Sequence, residues 1–308
     1  MNQPNKNNRQ NQDQRRSNRP LNWMSKYVET LLKYATVFSA LIVLVLFGFL
    51  TYFTLPLFAE GQITELFSLH WRPFHGEFGI LPMIAGTLAL AISALLIAYP
   101  LGLGICLFVH GLGPRWLARP ILLLIHGMTG IPTVVYGFVA VFLLVPLLRN
   151  NFSHGSGFSL LAASLTLSIL ILPTIVLLIN SQLEQIVPKL RLTTTALGIS
   201  RIHELTRISL PAASYGLLAA AILGFGRAVG DTLIALMVAG NAAQIPGSAF
   251  DSIRTLTAHI ALVVATDSQS TTYHSLFACG LILFVTTASV NLLLHRIKHR
   301  ACRETNYE

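Results

Sequence analysis

In a chain this poor in charge, an arginine set inside an apolar run raises the first chemical question. Arg227 lies in GFGRAVGDT, Gly224 to Thr232, with long apolar sequence around it. A cation at mid-membrane costs roughly 2.5–3.5 kcal/mol on insertion scales, so it must face a partner or water and not lipid. Asp231 stands four residues on. That is about one helical turn, which predicts the two side chains on one face and within pairing reach. Two roles fit. One is a structural ion pair that glues the span to its neighbour. The other is an anion pathway in which Arg227 offers a transient positive site and Asp231 keeps the anion from being held too tightly, with Thr232 beside them. Charge inside a membrane is functional by default, which favours the pathway. A basic residue suits an anionic cargo without saying which anion. Gly224, Gly226 and Gly230 remove bulk here, so a neighbouring helix can approach or the local helix can bend.

A second polar interruption, LTTTALGISRIHELTRISLP over 192–211, carries Arg201, His203, Glu204 and Arg207. Ile199, Ile202, Leu205 and Ile208 recur every third position, near the helical period, which predicts a short amphipathic helix. Such a helix outside the bilayer has no lipid reason to exist. It suits a soluble partner that must grip the membrane part.

These two features need elements to hold them. The chain has 308 residues, 53% hydrophobic and only 11% charged. A soluble domain carries about a quarter charged residues, so an ordinary soluble protein is excluded. Apolar runs at about 34–53, 81–109, 121–148, 158–180, 215–239 and 275–294 each reach the roughly 20 residues that cross a bilayer. Backbone groups in lipid must be satisfied within the segment, so the spans are helices and the chain is an all-α integral membrane protein with six of them. The first is an uncleaved anchor, because the region before it is too long for a signal peptide. Residues 1–33, rich in Asn, Gln and Arg, predict a disordered basic tail. The remaining divisions are an anchor and external loop over 34–77, a transport domain over 78–300 and a tail over 301–308.

The net charge of +9 would suggest nucleic acid in a soluble protein; here it marks orientation. With the amino terminus inside, seven Lys or Arg fall in the tail, two in 110–120, four in 181–214 and four after Leu294, against Arg72, Arg149 and Arg254 outside. That asymmetry predicts cytoplasmic termini and a cytoplasmic 192–211 loop. Cys106, Cys279 and Cys302 show no metal or disulfide spacing, the histidines form no HExxH pair, and GxxxxGK[ST] is absent. No metal, no cofactor and no nucleotide site of its own is expected.

Other polar features are open to two readings. Thr129, Thr133 and Tyr136 around Pro132 fit either a kink with satisfied hydroxyls or a pore lining, and Pro100 with Gly102 and Gly104 has the same status. The external segment 241–274, with Asn241, Asp251 and Arg254, fits a docking surface or only a long connection.

GISRIHELTRISLP resembles the second half of the EAA loop of ABC-importer permeases, and GIPTVVYG, GRAVGDT and MVAGNAAQIPGSAFDSIRTLT resemble the phosphate-specific (Pst) permeases, most of all the PstC type. The resemblance covers about 78–300. It implies the MetI-like type I permease architecture with an extra N-terminal helix, in the bacterial inner membrane. It further implies a non-catalytic subunit that moves inorganic phosphate with a second, PstA-type permease, a PstB-type ATPase dimer and a PstS-type periplasmic binding protein. Thr194, Ala196, Gly198 and Ile202 would then contact the ATPase, together with Glu204, Leu205, Ile208 and Pro211. Two positions depart from the family. Leu192, Thr193 and Thr194 replace Glu-Ala-Ala, where Thr193 or Thr194 can still cap a short helix, and Asp231 replaces a longer Glu. Permeases for sulfate or molybdate, and a stand-alone channel or secondary carrier, are the rival readings.

Overall fold

The computed structural model describes residues 6–59, 68–72, 77–152, 155–266 and 271–304. Two compact units divide the chain, Met1–Tyr52 and Phe53–Glu308. The first is helix throughout its described part. Helix α1 (Lys6–Ala59) contains the apolar stretch Lys26–Leu55, whose residues 26–49 are all exposed, Leu31, Tyr34, Phe38 and Leu44 among them. A helix greasy all round is built for lipid. The disorder expected over 1–33 is replaced by helix from Lys6 onward. Gln, Arg, Lys, Leu and Met are good helix formers, and prolonging a helix that a span has already nucleated costs little.

The second unit opens with a short antiparallel pair, β1 (Trp71–Arg72) and β2 (Glu77–Phe78). Helix α2 (Leu81–Leu107) follows and continues as a π-helical turn over Phe108–Leu112. Its partner is α5 (Leu160–Ala196), the central helix, whose Leu167, Ile171, Ile175, Ile179 and Leu183 are fully buried. Helix α7 (Ser214–Val229) packs on both. Glycine makes this contact possible. A methyl on Gly102 of α2 would sit 2.9 Å from Ile175 Cγ2, and one on Gly224 of α7 would sit 3.0 Å from Ile175 Cδ1. Small residues let helix backbones approach where lipid supplies no hydrophobic drive. Ser93 and Ser164 hydroxyls meet at 2.6 Å across the α2–α5 seam.

Three expected spans change shape. The one expected over 121–148 is two helices, α3 (Arg115–Thr129) and the stretch Thr133–Asn151, termed α4, with Gly130, Ile131 and Pro132 between them. Pro132 has no N–H to donate and holds φ −60, ψ 142, so α3 stops before it and α4 starts after it. The span expected over 215–239 is α7, then a break at 230–232, then α8 (Leu233–Val238). The span expected to end near Asn180 runs on to Ala196 as part of α5. Beyond it the short helix Arg201–Ala212, α6, meets α7 at a 70° bend. The segment over 241–274, left open between a docking surface and a long connection, carries α9 (Leu256–Thr266), and α10 (Thr271–Glu304) closes the described chain. Residues 305–308 of the expected tail lie outside the described residues. Among the described residues five helices are long and apolar enough to span a bilayer, or six if the bent α6–α7 pair counts as one.

Candidate functional site

Arg227 occupies the last turn of α7 and is exposed. Its Nη1 donates to Thr174 Oγ1 on α5 at 2.8 Å. Gly230 then ends the helix, its N–H donating to the Gly226 carbonyl at 3.1 Å. Asp231 therefore does not share a helical turn with Arg227. Its Oδ2 accepts from the Ile234 N–H at 2.9 Å and so caps the first turn of α8. The expected Arg227–Asp231 ion pair is absent: among the described residues the one ion pair within 4.0 Å joins Lys33 to Glu29. Arg227 stays within electrostatic reach of both Asp231 and Tyr136. The cause of the misreading is local. Pairing at i, i+4 presumes continuous helix, and Gly230 removes it.

The two breaks belong together. A methyl on Gly137 of α4 would lie 2.8 Å from Met237 Sδ of α8, so the half-helices that follow the breaks pack closely. Tyr136 OH donates to the Met128 carbonyl at 3.0 Å and ties α4 back to α3 across Gly130 and Pro132. Thr257 of α9 donates to the Asp231 carbonyl at 2.8 Å, satisfying backbone that the break leaves free. The Thr232 hydroxyl, by contrast, makes no cap. The first two N–H groups of α4, those of Thr133 and Val134, have no intrahelical acceptor, and the third, of Val135, turns back to the Pro132 carbonyl at 3.0 Å. One cation, the Thr232 hydroxyl and the first backbone donors of α4 thus collect around the breaks. The three glycines divide by role. Gly224 meets Ile175 and Gly226 meets Val290 of α10 at 3.2 Å, whereas a methyl on Gly230 would find only its own helix carbonyls.

The 192–211 region forms a separate tip. Gly198, at φ +69, ends α5 in a Schellman turn: the Ile199 N–H donates to the Thr194 carbonyl at 3.0 Å and the Gly198 N–H to the Thr195 carbonyl at 3.1 Å. Thr194 and Ala196 belong to the last turn of α5. Neither Thr193 nor Thr194 caps a following helix; the Thr194 hydroxyl bonds back to the Arg191 carbonyl at 3.2 Å, and Ser200 takes the position before α6. The apolar stripe splits as well. Leu205 is buried, where a methyl on Gly111 would overlap its Cδ1, while Ile199 and Ile208 are half-buried and Ile202 points outward. Glu204 is turned inward, 5% exposed, with one carboxylate oxygen lacking a partner. Sequence reasoning placed it on a polar outer face. The π-helical turn over Glu204–Ser209 shifts which side chains share a face, and three-residue spacing cannot reveal that. Pro211 lies in the last turn of α6 and is exposed.

One participant escaped sequence reasoning altogether. Thr174, 53 residues from Arg227, looks like any hydroxyl in an apolar run. Among the described residues no cluster of His, Cys, Asp and Glu could hold a metal ion.

Residues 102–301 match the family described as binding-protein-dependent transport system inner membrane component. A probable ABC transporter permease protein, YqgH, of Bacillus subtilis (strain 168) is 36% identical over 78% of this chain and 79% of its own length. The phosphate transport system permease protein PstC of Mesorhizobium japonicum is 32% identical over 85% of this chain and 88% of its own. That of Haemophilus influenzae is 29% identical over 91% and 95%. In solved structures, a chain of the MetNI methionine ABC transporter, in an inward-facing conformation, has a TM-score of 0.57 at 18% identity, covering 75% of this chain and 99% of that one. That likeness carries the MetI-like fold. The chain belongs to the binding-protein-dependent transport system inner membrane components, and within them to the PstC-type permeases.

Proposed function

We propose that this multi-pass membrane protein is the permease subunit of an ATP-driven importer of inorganic phosphate and hydrolyses no nucleotide itself. Its power comes from a PstB-type ATPase dimer that grips the 192–211 tip on the cytoplasmic side. A PstA-type permease lines the other half of the path, and a PstS-type binding protein delivers the anion from outside. The observation that carries this reading is Arg227, an intramembrane cation held by a neutral hydroxyl at the junction of two broken spans. A cation bound to Thr174 keeps its full charge for an arriving anion, where a carboxylate partner at contact distance would have neutralised it. Asp231 spends one oxygen on the Ile234 N–H, so it tempers the field without closing the site. Because Arg227 is exposed on this subunit, a second permease facing it completes the pathway. Closing and opening of the ATPases then needs only to change which side of the breaks is accessible, with the tip supplying the state-dependent contact.

Uptake by the whole complex in proteoliposomes tests this. For Arg227→Gln, normal assembly is expected with phosphate uptake down about 10- to 100-fold, the worth of one charged hydrogen bond at about 1.5–3 kcal/mol. Wild-type uptake by a stably assembled variant would reduce Arg227 to packing. Sulfate uptake equal to phosphate uptake by the wild type would reassign the cargo, and phosphate flux without the ATPase would replace the importer with a self-sufficient carrier.

A further inference from the structure

Helix α5 has 37 residues, about 55 Å at 1.5 Å per residue. A hydrocarbon core of about 30 Å consumes roughly 20 of them, and each headgroup layer adds only about 5–8 Å. The part after Asn180 carries the axis about 24 Å further, so the tip stands beyond the lipid surface. Large apolar side chains are nevertheless bare there: Leu192 is 82% exposed, Leu197 71% and Ile202 54%. Lys189, Arg201, His203 and Arg207 are exposed around them, and Arg191 is half-exposed. From Gln185 to Ser214 the sequence holds one acid, Glu204, and it is buried. Over 185–214 the exposed surface therefore carries bare apolar side chains and cations without an exposed carboxylate, and Glu184, exposed one position earlier, marks its base.

We infer that the tip docks in an ATPase cleft with an apolar floor and an acidic rim, so that charge complementarity sets its strength and partner choice. The inference rests on the reading of 192–211 as the ATPase contact and adds the sign of that contact. Leu192, at the place where the resembling permeases carry Glu, supplies greasy surface instead of an anion. An isolated apolar patch needs no cations around it, and a lipid-binding basic patch needs no apolar residues held this far from the bilayer. The combination matches an interface with a desolvated core and a polar rim.

Titration of the separately purified ATPase onto the complete permease complex in nanodiscs decides the matter. Raising salt from about 0.1 M, where the screening length is about 10 Å, to about 0.5 M is expected to weaken binding about tenfold. Arg201→Glu with Arg207→Glu is expected to weaken it at least about tenfold at low salt, equally in zwitterionic discs and in discs containing phosphatidylglycerol. If Ile202→Asp abolishes binding while salt and charge reversal leave it unchanged, the tip is still the ATPase contact and the acidic rim is wrong. If no variant matters, the contact itself lies elsewhere. If charge reversal acts only in phosphatidylglycerol discs, the cations serve anionic headgroups and the inference falls.

Discussion

At its Leu160 end, α5 hands its unpaired backbone donors to another part of the chain; at its Ala196 end it turns through one glycine and presents bare side chains to water. The first end is laced. The Leu160 N–H donates to the Asp251 carbonyl at 2.9 Å and the Leu161 N–H to the Ala249 carbonyl at 2.7 Å. The Ser252 hydroxyl donates to the Phe158 carbonyl at 2.9 Å. Asp251 folds its own strap by accepting from the Gly247 and Ser248 N–H groups, both at 2.8 Å. The strap is then fastened to α2, where the Leu256 N–H donates to Thr87 Oγ1 at 2.9 Å, and to the break through Thr257. The far end has a Schellman turn and a small buried set, Leu205 with Glu204 and Ser209, and among the described residues none of its backbone donors is handed to a distant part of the chain. The lesson is a division of labour. The laced end fixes the geometry of the breaks around Arg227, and the bare end leaves its side chains exposed.

The most damaging single test of this contrast is Gly86→Val at the laced end. A methyl on Gly86 would already lie 2.5 Å from the Arg254 carbonyl, and that atom is backbone, which cannot swing aside. Overpacking of this kind costs about 3 kcal/mol, so a marked fall in the thermal midpoint and in the amount of protein in membranes is expected. An unchanged midpoint would mean that the strap is loosely held and that the two ends do not differ in rigidity.

At the bare end, Leu205→Ala comes next. Truncating a buried leucine costs about 2–5 kcal/mol, and the low end applies because Gly111 leaves the neighbouring π-helical turn room to settle inward. The expected result is a complex that assembles and binds phosphate-binding protein normally but couples poorly, with ATPase binding weakened and ATP hydrolysis no longer tracking uptake. Loss of the whole fold, as fast as for Gly86→Val, would erase the distinction between the ends.

How much of this could be read from residues alone follows the same line. The spans were legible because a run of about 20 apolar residues has one physical meaning, and the tip because a polar stretch between two such runs must leave the bilayer. The breaks were not. Pro132 and Gly230 inside apolar sequence signal either a kink or an end, and only the backbone, extended at Pro132 and out of the helix after Gly230, decides between them. The length of α5 was hidden for a related reason: a helix that leaves the membrane loses its apolar signature without losing its hydrogen bonds, and the polar residues after Asn180 read as loop. Within the site, Arg227 was conspicuous through its charge, while its hydrogen-bond partner Thr174 depended on a contact across 53 residues that no local pattern encodes. Asp251, read as part of a docking surface or a long connection, was obscure for the same reason, although it organises the strap.

The finest test asks for almost no effect on one side of the comparison. Ile202 is 54% exposed and contributes little to the fold, so Ile202→Ala is expected to change stability by no more than about 0.5 kcal/mol. An apolar side chain at the centre of an interface counts for more once a partner covers it, because binding, unlike folding, is what removes it from water. ATPase affinity is therefore expected to fall about tenfold while the thermal midpoint stays within error of the wild type. Equal losses in both measurements would show that Ile202 supports the tip from within. A loss in neither would mean that its exposure on this subunit persists in the assembled transporter, and that the docking surface lies on another face of the tip.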